Sequence, residues 1–114
     1  HRMHGENFVI SPEGAEEINR AGRIIAVGTT SLRVLESLPP GPVQPGKGRT
    51  EIFIKPGFTF ARTDALLTNF HLPKSTLFVL VCALAGQGLM SEAYAEAIDQ
   101  KYRFFSYGDC MLIL

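Results

Sequence analysis

AVGTTSLRVLES, residues 26–37, passes from an apolar run through one glycine and three hydroxyl side chains into leucines spaced at three. Ile24 to Val27 is short and apolar, Gly28 ends it, and Leu32, Leu35 and Leu38 recur at helical spacing. Strand, polar turn and helix in succession make the unit from which α/β folds are built. The turn presents hydroxyls and backbone N–H groups at a helix N-terminus, where a carboxylate or phosphate is favoured. Thr30 or Ser31 can equally serve only as the helix cap, and the stretch by itself leaves both readings open.

Outward from this unit the alternation continues. Upstream, Ser11-Pro12 is a helix start, with Ser at the N-cap and Pro at the first helical position, and the helix runs through Arg20 to Gly22. Downstream, residues 39–50 (PPGPVQPGKGRT) hold four prolines and three glycines and read as a flexible loop that carries no core. Lys55-Pro56-Gly57 suits a turn, so Glu51 to Ile54 and Phe58 to Phe60 read as a hairpin or a bent strand. Ala65 to Phe70 is another strand candidate. Pro73 to Ala85 reads as a helix capped near Ser75 and ended by Gly86 or Gly88; it is apolar all round and belongs between layers. Ser91 is expected to cap a last helix through Tyr102, with Tyr94, Ile98 and Tyr102 as its inner face. The expected class is an α/β layered domain, a mixed sheet with flanking helices, spanning residues 1–114.

Composition narrows the function classes. Eleven basic and eleven acidic residues cancel, so a polyanionic partner has to be held by a local patch. Cys82 and Cys110 suggest no disulfide framework, which favours a reducing compartment, the cytoplasm. The nine-residue run LFVLVCALA (77–85) is short of the about 20 residues a bilayer span needs, and no secretory signal pattern precedes it, so no membrane is expected. The chain opens on His1-Arg2 and closes on the apolar run Met111 to Leu114; both ends read as cuts, and a piece of a longer protein is expected.

Three further stretches place chemistry-bearing groups together. In TNFHLPKST (68–76), His71 is the side chain able to exchange a proton near neutral pH. Pro73 keeps Leu72 extended, which sets His71 at a strand end before a buried helix, where α/β proteins put their sites; a His that merely caps the helix is the alternative. HRMHGE (1–6) spaces His1, His4 and Glu6 as metal ligands could be spaced, but Gly5 argues against a rigid helix and no second ligand group follows, so no metal site is assigned. KYRFFSYGD (101–109) sets Lys101 and Arg103 among aromatics ahead of Asp109. That composition suits base stacking with phosphate contacts, a cationic ligand, or a helix end whose aromatics fill the core.

IIAVGTTSLRVLES, DALLTNFHLPKSTL and KYRFFSYGD together closely resemble the C-terminal part of the S-adenosylmethionine:tRNA ribosyltransferase-isomerases of queuosine synthesis. HRMHGENF is similar as well, so the resemblance covers the chain except for residues 39–50. It implies the C-terminal part of the larger, α/β domain of a two-domain enzyme, whose inserted β-barrel is absent from these residues. The implied reaction moves the ribosyl group of S-adenosylmethionine onto an aminomethyl deazaguanine at the tRNA wobble position, with loss of adenine and methionine, leaving epoxyqueuosine. S-adenosylmethionine is then a substrate, and no cofactor is expected. The full-length enzyme is expected to be a monomer, whereas these residues alone are expected to self-associate.

That chemistry can be set against the residues. A sulfonium acidifies the neighbouring ribose methylene, so a positioned base can begin the reaction; His71 is the first candidate and His4 the second. Asp109 is assigned to orienting the acid that helps adenine leave, or to the sulfonium. Thr29, Thr30 and Ser31 are assigned to the methionine carboxylate or a tRNA phosphate, and Gly28, Arg33 and Tyr107 to substrate binding with them. Between residues 44 and 62, Lys47, Arg49, Lys55 and Arg62 face only Glu51 in charge, a basic stretch suited to tRNA that Lys101 and Arg103 extend. The rival reading is a non-enzymatic α/β module that binds RNA or a protein partner.

Overall fold

The computed structural model describes residues 5–71, 75–102 and 109–114. In chain order the elements are β1 (Glu6–Ile10), α1 (Pro12–Arg20), β2 (Ile25–Val27), α2 (Thr29–Ser37), β3 (Gly46–Thr50), β4 (Ala65–Asn69), α3 (Thr76–Ala85), α4 (Gln87–Asp99) and β5 (Cys110–Ile113). β2 and β4 pair in parallel and β5 joins β4 antiparallel, giving a mixed sheet in the order β2-β4-β5; β1 and β3 form a separate antiparallel ribbon. The expected α/β class with a mixed sheet is what the structure shows.

The sheet divides its side chains by alternation. Ala26, Leu66 and Ile113 lie in register and are buried in one core with Leu32, Ile54, Leu80, Val81, Met90 and Tyr94. The neighbours that alternate with them point the other way, and Ile25 (51%), Val27 (65%), Leu112 (54%) and Leu114 (80%) are exposed there. α3 is capped as its sequence suggests, Ser75 Oγ accepting from the Phe78 N–H at 3.1 Å. No single helix among the described residues is long and apolar enough to cross a membrane; α3 and α4 meet that measure only as a pair bent by 120°.

β1 formed part of no expectation from the sequence, and the structure departs from the sequence reading in four further places. The proline-rich loop stops at residue 45: Gly46–Thr50 is β3, and a Cβ at Gly48 would meet the ring of Phe8 across the ribbon unless that ring moved. Val43 is buried and held from both sides, its N–H donating to Asn19 Oδ1 (2.7 Å) and its carbonyl accepting from Asn19 Nδ2 (3.0 Å), so the loop does contribute to the packing. Lys55 to Phe58 does turn, with the Phe58 N–H on the Lys55 carbonyl at 3.0 Å and Gly57 at φ +100°. The flanking residues form no ladder; Ile54 sits in the core and Ile52 and Phe58 pack against it. Finally, α4 begins at Gln87 rather than at Ser91. Gly86, at φ +96°, ends α3 and caps α4 at once; α4 ends at Asp99, Ile98 (57%) is turned outward, and Met90, Tyr94 and Ala97 face the core, while Tyr102 lies beyond the helix, half exposed, with its ring edge-on to Phe70 at 5.7 Å.

Glu36, at the end of α2, ties the helix to the chain entering β4. Its carboxylate accepts from the N–H groups of Ala61 (2.7 Å), Arg62 (3.1 Å) and Thr63 (2.7 Å). Charge-assisted bonds to backbone donors outweigh neutral ones, so Glu36→Ala is expected to lower unfolding free energy by about 2–3 kcal/mol. A urea melt checks this; a midpoint unchanged from the parent would show that these bonds merely replace bonds to water.

Candidate active site

Because β2 and β4 are parallel and β5 runs against them, three connections meet at one end of the sheet. Gly28 and the N-terminus of α2 follow β2, Phe70 and His71 follow β4, and Asp109 precedes β5, whose Cys110 is paired with Asn69. Ligands of open α/β sheets bind outside the carboxyl ends of the parallel strands, which is this end.

At the β2 connection, Gly28 sits at φ +90°, a conformation L side chains rarely adopt, and its N–H donates to the Leu67 carbonyl at 2.8 Å. Gly28 itself is the N-cap of α2 and no side chain caps the helix. Neither Thr30 nor Ser31 is therefore the cap; both are exposed on the first turn, with Thr29 half-buried beside them. An uncapped helix N-terminus carrying three hydroxyls suits a carboxylate or a phosphate oxygen.

At the β4 connection, His71 is half-buried and held twice. Its Nε2 lies 3.1 Å from Thr68 Oγ1, and its backbone N–H donates to the Tyr94 hydroxyl at 3.0 Å. Tyr94 is itself fixed by edge-on contacts with Phe70 and Phe78, ring centroids 5.4 and 4.6 Å away. Burial holds the His71 imidazole below its ordinary pKa and pushes the Tyr94 phenol above its own. A neutral imidazole can accept a proton, and the phenol holds the His71 main chain rather than its ring. Thr68 and Tyr94 were not legible as its partners: Thr68 lies three residues before His71 in a strand, and Tyr94 arrives from α4, 23 residues on.

The remaining expected site residues scatter. Arg33 is 2% exposed and turned into the protein, its Nε donating to the Ile52 carbonyl (3.1 Å) and a guanidinium nitrogen 3.7 Å from Glu6 Oε1. It joins α2 to β1 and to the segment after β3. Lys47 and Arg49 alternate onto the exposed face of the ribbon, where Arg49 donates to Asn7 Oδ1 at 3.2 Å. Lys55 is exposed on its separate turn. Arg62 is half-buried and donates to the carbonyls of Pro39 (2.6 Å) and Gly41 (2.8 Å), which makes it a fastener of the loop. Lys101 is exposed at the end of α4 with φ +60°. His4, Arg103 and Tyr107 lie outside the described residues. Among the described residues no three His, Cys, Asp or Glu side chains cluster as metal ligands, and Glu6 faces Arg33.

Residues 1–113 match the family described as "queuosine biosynthesis protein". The sequence is 60% identical to the S-adenosylmethionine:tRNA ribosyltransferase-isomerase of Anaeromyxobacter dehalogenans (strain 2CP-C) and 59% identical to that of Syntrophus aciditrophicus (strain SB). Both matches cover 100% of this chain, and 34% and 32% of the relatives. A crystal structure of S-adenosylmethionine tRNA ribosyltransferase from Thermotoga maritima superposes with a TM-score of 0.81 at 45% identity, over 95% of this chain and 40% of that one. The chain thus spans about a third of the length of the curated relatives it matches.

Proposed function

This chain belongs to the family of queuosine biosynthesis proteins, and from that we propose that it is the C-terminal part of a cytoplasmic S-adenosylmethionine:tRNA ribosyltransferase-isomerase. The observation that carries the reading is the convergence of His71, Asp109 and the uncapped N-terminus of α2 at one end of the sheet. S-adenosylmethionine is the substrate held there, with its carboxylate at Thr29, Thr30 and Ser31 and its sulfonium toward Asp109. His71 takes a proton from the ribose methylene beside the sulfonium. The ribosyl group then passes to the aminomethyl deazaguanine of the tRNA wobble position, adenine and methionine leave, and epoxyqueuosine remains. Product analysis of the full-length enzyme tests this. Adenine and methionine should appear only with both substrates present, whereas S-adenosylhomocysteine would mean methyl transfer and end the proposal.

The tRNA is held by exposed cations. Lys47 and Arg49 share one face of the β1–β3 ribbon, and Lys55 stands on the next turn. Each phosphate contact adds to the slope of affinity against salt. Replacing Lys47, Arg49 and Lys55 by Ala in the full-length enzyme is expected to weaken tRNA binding and flatten that slope by about 2–3, leaving S-adenosylmethionine affinity unchanged. Unaltered tRNA affinity and slope would make the three a solvated surface. S-adenosylmethionine binding also separates the enzyme from a non-enzymatic RNA module, which would ignore it.

A further inference from the structure

We infer that Thr68 is a positioning residue that fixes the His71 imidazole in the tautomer carrying its proton on Nε2, so that Nδ1 is the nitrogen that accepts the substrate proton. The inference rests on His71 being the base. A neutral imidazole has one N–H and one lone pair, and whatever bonds to one nitrogen decides the role of the other. Thr68 Oγ1 stands 3.1 Å from Nε2. At this distance the hydroxyl can donate or accept, and the base role decides between the two: if it donated, Nε2 would spend its lone pair on Thr68 and Nδ1 would carry the proton, leaving no lone pair free to face a substrate. With the hydroxyl accepting from Nε2–H, Nδ1 keeps its lone pair. When the substrate C–H bond breaks, the proton goes to Nδ1, the electron pair stays on the carbon beside the sulfonium, and the imidazolium that forms still donates from Nε2 to Thr68.

The surroundings make this a fixed contact. Thr68 is buried in β4 and β-branched, so its χ1, and with it the position of Oγ1, has few alternatives. The His71 backbone cannot shift freely either, since its N–H is bound to the Tyr94 hydroxyl at 3.0 Å. Ring and backbone are therefore oriented from two different elements, β4 and α4, as a productive base requires.

The test is made on the full-length enzyme labelled with 15N-histidine, the His71 signals being identified by their loss in His71→Gln. The native enzyme should show the Nε2–H tautomer at His71, Thr68→Val should show a mixture of tautomers, and Thr68→Ser should restore the single form. Turnover should follow: Thr68→Val lowers kcat by about 10-fold or more with KM for S-adenosylmethionine unchanged, and Thr68→Ser recovers most of it. An Nδ1–H tautomer in the native enzyme, or a tautomer and kcat both indifferent to Thr68→Val, overturns the inference. If His71→Gln keeps its turnover while Thr68→Val still mixes the tautomers, the contact stands and it is the assignment of His71 as base that fails.

Discussion

His71→Ala in the full-length enzyme is expected to lower turnover by roughly 100-fold or more while the protein stays folded, the loss typical of removing a general base. The side chain is half-buried at a strand end and its backbone is held by Tyr94, so truncating the ring leaves the main-chain bond in place. The pH profile should carry the same signature. Burial disfavours the charged imidazole, so His71 remains neutral and able to take a proton at a pH where an exposed histidine would already be protonated. The acid limb of kcat/KM should accordingly fall below the ordinary histidine range. A folded His71→Ala enzyme with near-normal turnover would remove the residue from the mechanism.

The second large effect is a complete loss. The 114 residues alone are expected to release no detectable adenine from S-adenosylmethionine in the presence of substrate tRNA. Joining a sulfonium donor to a base within a folded RNA needs groups on both sides of a cleft and shelter from bulk water, and one end of one sheet offers a single wall. The sheet face opposite the core also carries exposed Ile25, Val27, Leu112 and Leu114, and β5 is an edge strand. Apolar faces and open edges of this kind invite pairing, so a mass in solution above that of one chain is expected from the same sample. Adenine release at the full-length rate from a stable monomer would show the site to be elsewhere.

The residues that sequence reading placed well are those whose structure is decided locally. Gly28 had to end a strand because a polar turn and a leucine periodicity followed it, and Ser75 had to cap α3 because an apolar run began at the next turn. β3 was hidden because Gly46–Thr50 offers the ribbon no apolar alternation; it pairs with β1, where Gly48 leaves room for the ring of Phe8, 40 residues away. The start of α4 was misplaced because one glycine serves two helices, leaving Ser91 as the more conspicuous but interior signal. His71 stood out through the polar cluster around it and Pro73 behind it, but its Tyr94 partner arrives only through tertiary packing. Arg33 shows the reverse: a cation near the Gly28 turn reads as a ligand contact until its carbonyl and carboxylate partners, Ile52 and Glu6, are known.

In a crystal structure of the full-length enzyme with S-adenosylmethionine, the sulfonium is expected at the end of the sheet where β2 and β4 finish and β5 begins, with the ligand's carboxylate on the first turn of α2 and its ribose methylene facing His71. Density for the ligand in another part of the molecule, out of reach of His71 and the α2 N-terminus, would contradict that placement.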